Sequence, residues 1–533
     1  MEAYKKTKGK IINWFRENGF TLAASLTFGL IVYWLMISQN LVNDLDGLWH
    51  TSNYVAGSWE ISLGRFMLRY VDKLYDGVLA APVTAAITIF LFSLGNIIAF
   101  HMLQIRQRGF RLLLSFFMLA SPFMCHTLSY AYTSVGYGVA YLFAVFAAAS
   151  CFYFHCIWGI LACGICIAFS MSCYQAYIDI FCVLVLLALI KMIQKQKDVR
   201  SLAAFLGRGL FGGVLGGIFY FISARLMLLY AGGSLASYKG AGTVSIGQML
   251  RSLPSSIVNC YQCFYEFLVE KAMYINKGAY EVTLRVVLVL LAAGVVYVCV
   301  KIFHTSIMYG VAFIVCILVF PMAANAVLLL APGNSATLLM SMGSMYIVVL
   351  PVMLLPENGT FDFCLRRVCF LAVSSLLWVS ILTVENDQLA LSEGRTAAVT
   401  LAQNIIGELR EKGYLGNDYA IALVGRPANN DLFRGDTAFY TANAYAQFGY
   451  WSTQSGNNRA SWEGLITQYC GVRINLCYEE TYDIIRLMDE VENMPEFPAE
   501  GSVQEIEGVI VVKVSELYRE NNIAQSEKIV FCV

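Results

Sequence analysis

The chain has 533 residues, 58% of them hydrophobic and only 14% charged, against about a quarter charged in a soluble globular domain. With a mean hydropathy of +0.62, a soluble enzyme of this length is excluded. The 36 basic and 36 acidic residues cancel, yet residues 1–384 hold 25 basic and 14 acidic side chains whereas residues 385–533 hold 11 and 22. A basic membrane part therefore carries an acidic, separate soluble tail, a balance that excludes general nucleic-acid binding.

In chain order, the basic N-terminus MEAYKKTKGKIINWFREN precedes an apolar run at 20–38 with no small-residue cleavage site. This predicts a retained first span, not a signal peptide. Further runs near the ~20 residues needed to cross a bilayer core predict spans at 79–104, 111–126, 135–152, 155–172, 174–192, 202–231, 283–300, 306–330, 336–355 and 366–384, eleven in all. Lys and Arg concentrate at one set of connections: Lys5 to Arg16, Arg106 to Arg111, Lys191 to Arg200, Lys301, and Arg366 with Arg367. The connections 127–134 and 331–335 have none. The positive-inside rule then predicts a cytoplasmic N-terminus and places 39–78, 232–282 and 385–533 outside.

The outer segments carry pattern. Residues 58–76 set Trp59, Leu63, Phe66, Met67, Tyr70 and Leu74 at helical spacing opposite Arg65, Arg69 and Lys73, which predicts an amphipathic helix on the membrane surface. Residues 246–271 have similar character, interrupted by Pro254. In the seventh span, Gly209, Gly213 and Gly217, and also Gly212 and Gly216, stand four apart, a pattern of close helix packing. The tail alternates a helix (TAAVTLAQNIIGELREKG), a strand (YAIALVG), helical stretches near 460–470 and 479–491, and a strand (GVIVVKVS). That alternation predicts a small α/β domain with a structural or acceptor-docking role. The fold class is thus an α-helical polytopic membrane protein with outer-face amphipathic helices, a transmembrane domain over 1–384 and an extracytoplasmic α/β domain over 385–533.

Most of the 16 cysteines sit in apolar runs and read as small hydrophobes. Cys260 with Cys263, and Cys470 with Cys477, are spaced to pair on an oxidising side, or to remain free thiols. No metal-binding motif or Gly-rich phosphate loop is present, and no cofactor is expected.

Asp44 and Asp46 stand together in NLVNDLDGLWH, where the first span emerges outside. A carboxylate there can take the proton of a sugar hydroxyl; the alternative is a cap or a solvated edge. Arg65 and Arg69, with Lys239 and Arg251 in the next outer segment, suit the phosphate of a lipid-borne leaving group or anionic lipid head groups. His126 and Tyr130 in SPFMCHTLSYAYTS, and Tyr174, Gln175 and Asp179 in MSCYQAYID, offer polar groups for sugar hydroxyls. Asp179 lies within an apolar span, where ionisable groups face a cavity or a partner. A lone His126 is more often a hydrogen-bonded structural residue.

NDLDGLWH, GSWEISLGRFML, SPFMCHTLSYAYTS, MSCYQAYID, ENDQLALSEGRTAAVTLAQNIIGELREKG and MPEFPAEGSVQEIEGVIVVKVS together resemble the bacterial type-II Gtr glucosyltransferase family, membrane proteins of the GT-C superfamily. The resemblance runs nearly the whole chain in order. It implies a multi-span enzyme of the bacterial plasma membrane that moves a sugar, glucose by the family's name, from a polyprenyl-phosphate carrier to a cell-surface glycan outside. It implies a catalytic base in the first outer loop, matching Asp44 and Asp46 without deciding between them; the Gly-Leu-Trp turn after Asp46 favours Asp46. Arg65 falls in the family-like W…GR pattern with Trp59 and Gly64. The implied reaction is a single inverting displacement that needs no metal. A transporter or flippase of lipid-linked sugars is the rival, although no internal repeat supports it; an envelope scaffold is a weaker third reading.

Overall fold

The computed structural model describes residues 2–50, 53–236, 246–271, 279–332, 336–355, 360–416 and 418–517. The chain opens with α1 (Glu2–Val32) and α2 (Trp34–Gln39), two pieces of one rod interrupted at Tyr33. Three short helices follow: α3 (Asp46–Trp49), α4 (Ser58–Ser62) and α5 (Leu68–Lys73). Then come α6 (Ala81–Met102), α7 (Arg108–Leu119), α8 (Pro122–Ser129), α9 (Ser134–Tyr153), α10 (Ile157–Cys173), α11 (Ile178–Gln194) and α12 (Val199–Ala231). The second half of the membrane part has α13 (Ile246–Tyr265), α14 (Ala279–Thr305), α15 (Ile307–Ala324), α16 (Ala326–Leu330) and α17 (Val349–Leu354), and ends in α18 (Thr360–Glu411).

Among the described residues, seven helices are long and apolar enough to cross a membrane, eight if the α7–α8 pair is one bent span. Several of the eleven expected spans are shorter or broken, and the first, 20–38, is not among the seven: it is divided at Tyr33 between α1 and α2. The α10 and Met342–Leu354 helices are apolar but short, and the run 306–330 is divided at Asn325 between α15 and α16. The run 111–126 bends by 49° between α7 and α8. There Ser121 caps the new helix, its hydroxyl accepting the Met124 N–H at 3.3 Å, and Pro122 at the first helical position cannot continue the old one. Every residue of α8 is buried.

The amphipathic segment 58–76 is α4 and α5, not one helix. Gly64 sits between them at φ +78°, the left-handed region that favours glycine, and a side chain there would run into the Tyr220 hydroxyl. The break divides the expected apolar face: Leu63 and Phe66 are buried, while Trp59, Tyr70 and Leu74 are exposed. Helix α13, by contrast, runs through Pro254 without interruption. The glycine register packs closely on one row: side chains at Gly212 and Gly216 would meet Cys163 and Ile167 of α10, and one at Gly209 would press on Val185 of α11, whereas one at Gly217 would meet nothing within 4 Å.

Helix α18 has 52 residues, about 78 Å at 1.5 Å per residue, far more than the ~30 Å of a bilayer core. The expected boundary at 384/385 falls inside it, and its C-terminal part leads into the C-terminal region. That region contains a three-stranded sheet of order β1-β3-β2, with β1 (Ala420–Val424) parallel to β3 (Val509–Lys513) and β2 (Val503–Ile506) antiparallel to it. Glu507 and Gly508, both at positive φ, make the tight turn joining β2 to β3. Helices α19 (Thr437–Thr441), α20 (Ser455–Leu465), α21 (Glu479–Ile485) and α22 (Asp489–Glu492) complete it. The α/β alternation read in the tail is present. Cys260, Cys263, Cys470 and Cys477 are all free thiols.

The long helix locks onto α1 and α2 through Gln388, which is fully buried. Its amide donates to Val32 O at 2.9 Å and accepts the Met36 N–H at 3.1 Å, serving backbone groups on either side of the Tyr33 interruption. Nearby, Arg395 donates to Gln39 O at 2.7 Å. The end of α2, from which the acidic loop departs, is thereby fixed.

Candidate active site

The acidic loop is held by Asn43. Its side-chain oxygen accepts the N–H groups of Leu45 at 3.2 Å and Gly47 at 3.0 Å, the local turn that Asn forms with its own backbone. Its amide and its backbone N–H both donate to Ser129 O at 3.1 Å, which ties the loop to the end of α8. The two aspartates then diverge.

Asp44 meets the C-terminal region. Its Oδ2 accepts the Tyr450 N–H at 2.8 Å, its backbone carbonyl accepts from the Ser461 hydroxyl at 3.3 Å, and Trp49 Nε1 donates to Ser461 Oγ at 3.2 Å. Burial pushes the Asp44 carboxyl up to about 7, opposed by the Tyr450 N–H and the charge of Arg426. Gly464 of α20 lies so close to the loop that a side chain there would strike Leu48 O.

Asp46 opens α3 and meets an aromatic cluster. Its charge acts on the hydroxyls of Tyr132 and Tyr54. The Tyr132 hydroxyl is raised mainly by burial; Asp46 adds to the rise and Arg65 opposes it. The two charges thus act on one phenol with opposite sign. His50 stacks on Tyr132 with centroids 4.1 Å apart and rings 13° from parallel, and its Nδ1 donates to Asp46 O at 2.8 Å.

Arg65 is aimed by the Gly64 turn. Its guanidinium lies 5.0 Å from the Tyr174 ring centroid, and its Nε donates to Gln175 Oε1 at 3.3 Å. The Gln175 amide donates in turn to Leu63 O at 2.6 Å and Tyr220 Oη at 2.9 Å. Two buried carboxylates brace this segment from behind. Glu60 accepts the Tyr54 hydroxyl and the Gly57 N–H, and Asp72 accepts the Ala56 N–H and the Tyr75 hydroxyl, each at 2.9 Å.

An aromatic chain links the rest. Tyr174 is 4.7 Å from Tyr137, Tyr137 is 6.4 Å from Tyr130, and Tyr130 is 5.3 Å from His126, centroid to centroid. His126 is buried with its Nδ1 unbonded, and it stacks at 4.2 Å on Tyr445 of the C-terminal region. Of the residues expected to carry chemistry, Asp46, Arg65, Tyr130, Tyr174, Gln175 and His126 therefore share one cluster, with Asp44 at its edge. Asp179 is elsewhere: buried, it binds the Val327 N–H at 2.8 Å at the start of α16. Arg69 and Arg251 are exposed, and Lys239 lies outside the described residues.

Sequence reasoning passed over Tyr132, His50 and Tyr54, although Tyr132 and His50 stand inside quoted motifs, and over Arg426, Tyr450 and Ser461, which only the tertiary fold brings to the loop. Among the described residues, no group of three or more His, Cys, Asp or Glu side chains is placed to hold a metal ion.

A family model described as "Glucosyl transferase GtrII" matches residues 45–348 of the chain. No curated protein and no solved structure matches it. The matched stretch begins inside the acidic loop and includes Asp46, Arg65, His126, Tyr130, Tyr174 and Gln175.

Proposed function

The chain belongs to the GtrII glucosyltransferase family, and from that premise we propose that it transfers a hexose, glucose by the family's name, from a polyprenyl-phosphate carrier to a cell-surface glycan on the outer side of the bacterial plasma membrane. The observation that best supports this reading is the immobilised Arg65, bonded to Gln175 and set against the Tyr174 ring, in the same matched stretch as Asp46, which His50 ties to the Tyr132 ring. Asp46 is the base: it takes the proton of an acceptor hydroxyl. That oxygen attacks the anomeric carbon, the bond from that carbon to the phosphate oxygen breaks, and its electron pair leaves on the polyprenyl phosphate. Arg65, held by Gln175 and Tyr174, faces the charge that develops on the phosphate. The configuration at the anomeric carbon inverts. Tyr130, Tyr174 and His126 line the sugar side, and no metal or cofactor enters the reaction.

The outward orientation rests on the Lys and Arg bias of the opposite connections. The arrangement of eleven spans, the last running into an extracytoplasmic domain, is part of the same proposal.

The experiment is sugar transfer by the purified protein in nanodiscs, supplied with polyprenyl-phosphate glucose and the cell's own surface polysaccharide. Free polyprenyl phosphate should appear in step with sugar on the polysaccharide. Movement of intact lipid-linked sugar across the bilayer without cleavage would replace this reading by transport.

A further inference from the structure

The turn Asn443–Trp451 crosses the outer edge of the cluster and is held at several points. Tyr445 donates its hydroxyl to Asp387 of α18 and stacks on His126. The Tyr450 N–H binds the Asp44 carboxylate. Arg426, itself buried, donates to the carbonyls of Tyr450 at 3.1 Å and Trp451 at 3.2 Å. Within the turn Tyr445, Phe448 and Trp451 are buried, but the Tyr450 ring is 40% exposed. One face of that ring carries the Arg426 guanidinium at 3.6 Å from its centroid. A half-exposed, immobilised aromatic ring therefore stands beside the acidic loop, its backbone bonded to one aspartate two residues from the other.

Resting on the reading of Asp46 as base, we propose that the turn Asn443–Trp451 forms the acceptor subsite, with the Tyr450 ring as the platform for a pyranose ring of the acceptor glycan and Asp44 as the positioning residue that fixes the turn beside the base. Chemistry separates the two sides. The leaving phosphate belongs at Arg65, and an inverting displacement brings the nucleophile from the face opposite the leaving group. The Asp44–Tyr450 seam adjoins the base through the chain itself, Asp44 standing two residues from Asp46, and its bonds run to the C-terminal region, whereas Arg65 is bonded to Gln175. A rigid aromatic face suits the C–H-rich face of a sugar ring, because the negative π face attracts its polarised hydrogens. The platform is supplied by the C-terminal region, which gives that domain a part in acceptor choice.

The test uses the full chain in nanodiscs and, as probe, the surface polysaccharide purified from a strain lacking this protein. Tyr450→Ala removes the ring but keeps the N–H that binds Asp44, and Tyr450→Phe restores the ring. Polysaccharide binding without donor should weaken about three- to tenfold in Tyr450→Ala, the size of a lost aromatic contact, and return in Tyr450→Phe. In transfer assays the half-saturating polysaccharide concentration should rise to match, while that of the lipid-linked donor stays put. Unchanged polysaccharide binding in Tyr450→Ala, an equal shift for donor and acceptor, or failure of Tyr450→Phe to restore binding overturns the subsite. Binding that depends on Tyr450 in a protein that transfers no sugar upholds the subsite and overturns the transferase reading instead.

Discussion

At the residue scale the site depends on a few side chains whose neighbours limit what they can do. Arg65 is pinned from two sides, by Gln175 and by the Tyr174 face, and on the proposed reading this fixed guanidinium meets the donor phosphate. Arg65→Ala should lower the rate constant over donor concentration by about ten- to a hundredfold, the worth of a charge-assisted contact of about 1.5–3 kcal/mol, with little change in the amount of folded protein; steady-state kinetics with lipid-linked donor measure this. Asp44 makes a different prediction. Its carboxyl lies at about 7, raised by burial, above the ordinary value of 3.8 that it has in the unfolded chain. The folded protein therefore binds this proton more tightly, so the stability linked to it is fullest below the ordinary carboxylate range. It declines as pH rises from there to about 7 and levels off above. Thermal unfolding in detergent from pH 5 to 8 should show this slope in the wild type and a flatter one in Asp44→Asn; parallel slopes would contradict it.

At the element scale, the features that position the site are interruptions, and these were only partly legible in the sequence. Hydropathy marks where apolar segments begin and end, yet it averages over a break. Ser121–Pro122 offered a signal, a cap residue followed by Pro, but the run 111–126 read as one span because every residue around the break is apolar enough. Gly64 was noticed as part of a W…GR pattern, while the left-handed backbone that splits the surface helix there depends on Tyr220, more than 150 residues away. The acidic loop, the basic residue behind the glycine and the two polar-aromatic motifs were legible because polar groups stand out in an apolar chain. Arg426 and Tyr450 were not, since nothing local distinguishes them from other residues of a polar domain. Gln388 belongs with these: it lies between the predicted span 366–384 and the predicted helix that starts at Thr396, in a stretch that only the structure shows to be helical, and its task of serving Val32 and Met36 is visible only in the fold. Gln388→Leu should leave those backbone groups without their side-chain partner and destabilise the protein by about 1–3 kcal/mol. A lowered melting temperature, with faster hydrogen exchange at Met36, would register the loss; unchanged exchange there would show that the first span holds itself.

At the scale of the whole molecule, a bundle of membrane helices supplies the Arg65 side of the site and an α/β region closes over the Asp44 side, joined by one helix of 52 residues. The family match covers residues 45–348, the stretch containing Asp46 and Arg65, whereas the closing turn at 443–451 lies beyond it. On the proposed reading, chemistry and acceptor choice are carried by different parts of the chain. The claim on which the rest depends is that Asp46 is the base and Asp44 is not. Asn in place of either keeps shape and hydrogen-bonding capacity while removing the proton acceptor, so the decisive measurement is the rate of sugar transfer at saturating donor and acceptor by Asp46→Asn and Asp44→Asn, each reconstituted beside wild type. Loss of a general base lowers that rate by roughly a hundred- to ten-thousandfold, and the account predicts a loss of that size in Asp46→Asn and a smaller one in Asp44→Asn. Near wild-type transfer by a folded Asp46→Asn protein, or the larger loss in Asp44→Asn, would contradict it.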